Sequence, residues 1–161
     1  MQLLNEIKVD SIATITGVTI GVESKYRKAL GAEVGFLFRI TRNVGRIEIV
    51  LEAKKIGTDY LLTLTGGREH VGAVATGFFD EKSQRASSSV ITMPGHREEQ
   101  LALQGARQVS RATKKTTVFV AGIHQDNIRP EEITDVVSAA EEMVTEFITF
   151  YEKTKITGRN G

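Results

Sequence analysis

The sequence predicts a single α+β domain over residues 1–161: a mostly antiparallel β-sheet of five to seven short strands covered by two helices, the longer one C-terminal. Three observations predict it. Up to Met93, short runs rich in Val, Ile and Thr alternate with glycine-bearing turns, the pattern of an antiparallel meander. Past His96 the apolar residues recur at three and four positions, as on helices. The chain also has 15 glycines against 2 prolines, which suits many tight turns. No linker or change of composition divides it, and repeated strand–helix–strand units are missing.

Taken in order, Met1 to Ile7 reads as a short strand or a loose tail. Ala13 to Glu23 is rich in β-branched residues, with Ile15, Val18 and Ile20 as core candidates, and Gly17 and Gly21 predict one bent or bulged strand. Ser24 to Gly31 reads as a loop or one helical turn. Glu33 to Ile40 is extended, Asn43-Val44-Gly45 is a turn, and Arg46 to Ala53 alternates as a half-buried strand does. After a turn at Ile56 to Asp59 come strands at Tyr60–Thr65, Val71–Phe79 and Arg85–Met93. A helix follows from about Arg97 to Ala112, with Glu98 and Glu99 at its start and Lys114 and Lys115 past its end, as the helix dipole favours. Its buried side is thin, mostly Ala and Gly, which predicts close packing. Thr116 to Gly122 is a core strand. Pro130 opens the last helix, where Ile133, Val136, Val137, Ala140, Met143, Val144, Phe147, Ile148 and Tyr151 form one apolar stripe. From Thr154 on, the tail reads as frayed.

Composition narrows the function. With 40% hydrophobic and 25% charged residues the chain is ordinary globular protein, and a net charge of +1 asks for no nucleic acid and no anionic membrane. There is no cysteine, so disulfides, thiolate metal sites and thiol nucleophiles are excluded. No apolar run is long enough to span a bilayer, and Met1 to Asp10 lack the pattern of a signal peptide. The expectation is a cytoplasmic protein.

The chain owns three histidines, and all lie near glycine where a strand-like run ends: Gly66-Gly67-Arg68-Glu69-His70-Val71-Gly72, Pro94-Gly95-His96-Arg97-Glu98 and Gly122-Ile123-His124-Gln125-Asp126-Asn127. Histidines in polar loops are often plain surface groups. The shared setting instead points to one site made of His70, His96 and His124, brought together by neighbouring strand ends. Three imidazoles, with a carboxylate from Glu69, Glu98 or Asp126, have the donor chemistry for a divalent metal ion such as zinc, iron, nickel or manganese. Their sequence gaps match no short metal motif.

An anion site competes with this reading. Gly66-Gly67-Arg68 and Pro94-Gly95-His96-Arg97 offer backbone amides and guanidinium groups, and the second opens a helix whose first amides favour negative charge. Neither loop is a GxGxxG or Walker A motif. Asp126 or Asn127 either faces a ligand or caps the turn before the last helix, while Glu131 and Glu132 suit the helix start. A histidine would suit a general base, but there is no Gly-x-Ser-x-Gly elbow and no triad partner for Ser87-Ser88-Ser89. The residues spell out no reaction, which favours binding over catalysis.

The segments Leu64–Val74, Met93–Glu99 and Val120–Asn127, followed by Glu131-Glu132-Ile133, resemble the small D-subunit family of the gallate and hydroxyarylic acid decarboxylase systems, regarded as chaperones for prenylated flavin mononucleotide. The resemblance covers roughly residues 45–150. It implies a fold similar to the small proteasome-assembly chaperones, an antiparallel sheet against two helices, often dimeric or of higher order. It also implies that the protein binds prenylated FMN, or FMN, and delivers it to a UbiD-like decarboxylase. The residues in the shared blocks are Gly66, Gly67, His70, Gly72, Pro94, Gly95, His96, Gly122, His124, Asp126 and Asn127. Arg68 or Arg97 would suit the flavin phosphate, and Phe78, Phe79 and Tyr60 are candidates for an aromatic wall. A non-catalytic cofactor carrier is the leading expectation; an assembly subunit without a small ligand and a metal-dependent enzyme on the three histidines are the alternatives.

Overall fold

The computed structural model describes residues 12–15, 18–21 and 37–157, with side chains from 38 to 155. Its elements are β1 (Ile12–Ile15), β2 (Val18–Gly21), β3 (Leu37–Val44), β4 (Ile47–Ile56), β5 (Asp59–Gly67), β6 (Ala73–Asp80), β7 (Arg85–Thr92), α1 (Glu99–Thr113), β8 (Thr117–His124) and α2 (Pro130–Thr157). One mixed, mostly antiparallel sheet in the order β1-β2-β3-β4-β5-β8-β6-β7 carries two helices, the C-terminal one longer. This is the predicted α+β class. No helix among the described residues is long and apolar enough to cross a membrane.

Four details differ from the local reading. Ala13 to Glu23 is not one bulged strand, since β1 and β2 pair with each other, Ile15 opposite Val18. The turn expected at Asn43-Val44-Gly45 sits one residue later, because Asn43 and Val44 still pair with Glu48 and Ile47. Gly45, at φ +59°, takes the left-handed bend that such a tight turn requires. Third, α2 continues to Thr157 instead of fraying at Thr154. Fourth, the strands do not form a simple meander: β8 inserts between β5 and β6, parallel to β5 and antiparallel to β6. The expectations for Met1–Ile7, Ser24–Gly31 and residues 16–17, 22–23, 33–36 and 158–161, and the side chains of Ile15, Val18 and Ile20, lie outside the described residues.

Alternation along the strands builds the core. On β5, Tyr60, Leu62, Leu64 and Gly66 face the helices, and on β4 Ile47, Ile49, Leu51 and Ala53 do the same. The apolar stripe of α2 meets them through Val136, Ala140, Met143, Val144 and Phe147. Arg42 on β3 reaches both Glu142 and Glu146 across the rim of this contact. The thin face of α1 does pack closely. A Cβ at Gly105 would lie 2.6 Å from the Phe119 ring, and one at Gly77 of β6 would lie 2.3 Å from the Ala106 carbonyl oxygen.

Strand direction and register decide where function can sit. The C-terminal ends of β3, β5, β7 and β8 lie at one end of the sheet, beside the starts of β4 and β6. Both helices also begin there, each just after a histidine loop.

Candidate functional site

Because β8 separates β5 from β6, the 68–72 loop that joins them must cross the end of β8. It is tied down there by the Arg68 N–H on the His124 carbonyl and the Gly72 N–H on the Ala121 carbonyl, both 2.9 Å. The Met93 N–H then bonds the Gly72 carbonyl at 2.8 Å, which brings the 93–98 loop alongside. Two glycines permit this stacking. A Cβ at Gly122 would fall 1.8 Å from the His70 carbonyl oxygen, and one at Gly72 would fall 2.6 Å from Glu98 Oε2.

The result is a compact donor cluster. His70 Nε2 lies 3.0 Å from His96 Nδ1, and the two rings are 4.4 Å apart between centroids. The Nδ1–H of His70 donates to the Arg68 carbonyl at 3.0 Å, which leaves Nε2 as the bare nitrogen facing His96. Glu98 presents one oxygen to each ring, 3.6 Å from His70 Nε2 and 3.7 Å from His96 Nδ1. Its side chain is 13% exposed. It accepts N–H bonds from Arg97 at 2.9 Å and Ile123 at 3.4 Å. His70, His96 and Glu98 have donor atoms all within 4.8 Å of one another.

His124 is adjacent but engaged elsewhere. Its ring stands edge-on to His70 at 6.2 Å, and its Nε2–H donates to Asp126 at 3.0 Å. Asp126 also pairs with Arg68 at 2.9 Å. The His124 hydrogen bond, reinforced by Arg68, holds the Asp126 carboxyl below the usual carboxylate range. Of the three carboxylates suggested by sequence, then, only Glu98 faces two imidazoles; Asp126 serves His124 and Arg68, and Glu69 accepts from the Thr65 hydroxyl at 2.9 Å.

The loop before α2 is a structural joint. Asn127 adopts a left-handed φ of +52°, a conformation asparagine tolerates. Its carbonyl accepts from Arg46 Nη2 at 2.9 Å. Glu132 reaches back to the Arg129 N–H at 2.9 Å, as a third-position glutamate does in a capping box, and pairs with Arg46 at 2.9 Å. The Arg46 guanidinium, with the Arg129 N–H, holds the Glu132 carboxyl at about 2, against an ordinary 4.5. A value depressed in the folded state stabilises fully above about 4.5 and is lost as pH falls toward about 2. Glu132→Gln is therefore expected to be less stable than the parent at neutral pH, with the gap closing across that window. Denaturant titrations at several pH values check it, and a gap independent of pH would rule out the Arg46 pairing as its source.

Beside the histidines, residues from the start of α1, the end of β8 and the start of α2 line a groove of about 300 Å³. Leu101, Ile123, Ile128, Ile133, Val136 and Val137 form its mainly apolar wall, with Gln100, Gln104 and Glu141 on the α1 and α2 sides, and Arg97 and Glu98 line it next to the histidines. Ile133, expected on the buried stripe, is 48% exposed because it overhangs this opening. Sequence reasoning missed the groove; the only signal was Ile128, an apolar residue in an otherwise polar stretch.

The proposed aromatic wall is elsewhere. Tyr60 is the second residue of β5 and Gly67 the last, about 23 Å away at strand rise. Tyr60 packs edge-on against Phe147 and Tyr151, both at 5.9 Å, and burial pushes its phenol up to about 12. Phe78 and Phe79 lie in the last part of β6, far from the site, Phe78 exposed and Phe79 beneath the Lys114 ammonium at 3.5 Å. The glycine amides of the first loop also differ from a phosphate cradle. The Arg68 and Gly72 N–H groups are committed to β8, Gly67 turns under the His124 carbonyl at φ +59°, and Gly66 is packed against Ile49. Gly95 forms an open turn, leaving Arg97 as the guanidinium beside the groove.

The model of a family described as "Prenylated flavin chaperone LpdD-like domain" matches residues 43–152, a span holding all three histidine loops and most of both helices. None of the curated proteins matches the chain. Among solved structures it is similar to a chain of the "Crystal Structure of a Novel Chaperone Complex for Yeast 20S Proteasome Assembly", at 10% identity and a TM-score of 0.48, covering 75% of this chain and 98% of that one.

Proposed function

The chain belongs to the LpdD-like prenylated-flavin-chaperone family, and from that premise we propose that it binds prenylated FMN and holds it for a UbiD-like decarboxylase. The observation that carries this reading is the junction, at Glu98, of an apolar groove with a cluster of imidazoles and a guanidinium. Cofactor sites are typically apolar clefts of about 300–1,000 Å³ with a few placed polar groups, and this groove has that character. The residues fit the cofactor in kind. Leu101, Ile133, Val136 and Val137 suit a prenylated ring system, Arg97 suits a phosphate, and His70 and His96 suit polar atoms between them. The apolar wall for the ring is aliphatic rather than aromatic. A chaperone family accords with a non-catalytic role, in which the bound flavin supplies its chemistry only after transfer to the decarboxylase.

An anaerobic titration with reduced prenylated FMN, run beside FMN, tests the reading. Saturable binding that favours the prenylated form is expected. Ile133→Glu, which places a charge in the groove from an exposed position, is expected to weaken it by at least about tenfold with the far-UV circular dichroism unchanged. No saturable binding, or equal binding by Ile133→Glu, would sink the proposal.

A further inference from the structure

We propose that His70 Nε2, His96 Nδ1 and the Glu98 carboxylate bind one divalent first-row transition ion, with Zn²⁺ as its reference member. The inference is independent of the flavin reading, since it rests on donor geometry alone.

The distances carry it. Glu98 points at both imidazoles, yet 3.6 and 3.7 Å exceed hydrogen-bond length, so the carboxylate and rings face one another across a gap. With bonds of about 2.0–2.2 Å to an ion between them, ligand atoms stand roughly 3.3 Å apart in a tetrahedral shell. The two ring nitrogens stand 3.0 Å apart and each has its own Glu98 oxygen at 3.6 or 3.7 Å. One donor atom from each of the three residues lies within 4.8 Å of the others, so a small closure of the carboxylate toward the rings completes the shell.

The supporting bonds fit the same role. Metal-binding histidines commonly donate their second ring N–H to a carbonyl or carboxylate, which fixes the tautomer, and His70 does so to the Arg68 carbonyl. Glu98 is oriented by two backbone N–H groups, and Gly72 clears the space it enters. Without an ion, the Nδ1–H of His96 bridges to His70 Nε2. To bind an ion through Nδ1, His96 would carry its ring proton on Nε2 instead.

Donor type sets the selectivity. Two imidazoles and one carboxylate suit Zn²⁺ and its first-row neighbours, whereas Mg²⁺ and Ca²⁺ prefer all-oxygen shells. Two neutral rings and one carboxylate leave a divalent ion with a net positive charge. Three protein ligands also leave a coordination position for water or an anion. The half-buried rings, 23% and 31% exposed, leave a path for entry.

The test is calorimetric titration of tag-free, chelator-treated full chain with Zn²⁺, with and without excess Mg²⁺. One Zn²⁺ per chain is expected, undisturbed by Mg²⁺. Because loss of an outer partner alone weakens metal sites by about 10–100-fold, His96→Ala and Glu98→Gln should weaken this one by at least that much. Glu69→Gln, which alters an exposed carboxylate bonded to Thr65, should bind as the parent does. Failure of the parent to bind saturably, or equal affinity in Glu98→Gln and Glu69→Gln, overturns the proposal. If a ligand variant fails to fold, ring resonances of the parent decide: Zn²⁺ must shift those of His70 and His96, and a site that moves neither lies elsewhere.

Discussion

Gly122→Ala is expected to dismantle the histidine cluster while leaving most of the fold in place. The added methyl would lie 1.8 Å from the His70 carbonyl oxygen and 2.6 Å from its carbon, well inside contact distance. Both atoms are backbone, so no side chain can rotate away. The 68–72 loop must lift from β8, losing the Gly72 bond to Ala121, worth about 0.5–1.5 kcal/mol. Overpacking adds about 1–3 kcal/mol. His70 then separates from His96, which stays held by its own turn through the His96 N–H on the Met93 carbonyl at 3.1 Å. Both the Zn²⁺ and the flavin titrations should fall by more than about tenfold, with α2 retained in far-UV circular dichroism. Gly95→Ala is the contrast. Its Cβ would meet nothing within 4 Å, so only the left-handed backbone at φ +83° opposes it, at about 1–2 kcal/mol. If Gly122→Ala keeps parental stability and binding, the loop is not pinned on β8 as described.

Phe147→Ala should do the opposite, with a large loss of stability and little effect on the site. Phe147 is fully buried on α2, edge-on to Phe38 at 5.3 Å and to Tyr60 at 5.9 Å. Removing a buried Phe side chain costs about 3–5 kcal/mol, transfer and cavity terms together. For a domain of this size that lowers the melting temperature by on the order of 10 °C. Tyr60 marks the end of β5 away from the histidines, so ligand affinity measured well below the transition should be nearly parental. A loss below about 1 kcal/mol in denaturant titrations would mean that the aromatic contact does not hold α2 to the sheet.

The contrast between these two variants reflects what was legible in the chain. Local pattern determined the elements: alternation along Ile47–Ala53 specified a half-buried strand, Pro130 and the Val136–Phe147 stripe specified α2, and Ala102, Gly105 and Ala106 specified a helix that packs closely. These are properties of neighbouring residues, because side-chain direction repeats every two residues on a strand and every 3.6 on a helix. The three glycine-flanked histidines lie on loops that do meet at one end of the sheet, since glycine tolerates the backbone contacts seen at Gly72 and Gly122.

Only the tertiary structure decided how those loops meet. Nothing local tells Thr117–His124 to enter between β5 and β6, yet that insertion stacks His70 over β8 and draws the 93–98 loop beside it. Nor does sequence separate Glu98 from Glu69 and Asp126, which have equal chemistry. Glu98 alone ends between two imidazoles because Arg97 and Ile123 bind its oxygens and Gly72 yields space. The same limit misplaced Tyr60, a neighbour of the first loop in the chain but at the opposite end of a nine-residue strand. Periodicity settles which face a residue occupies; strand order and register, which depend on contacts between distant segments, settle what it faces.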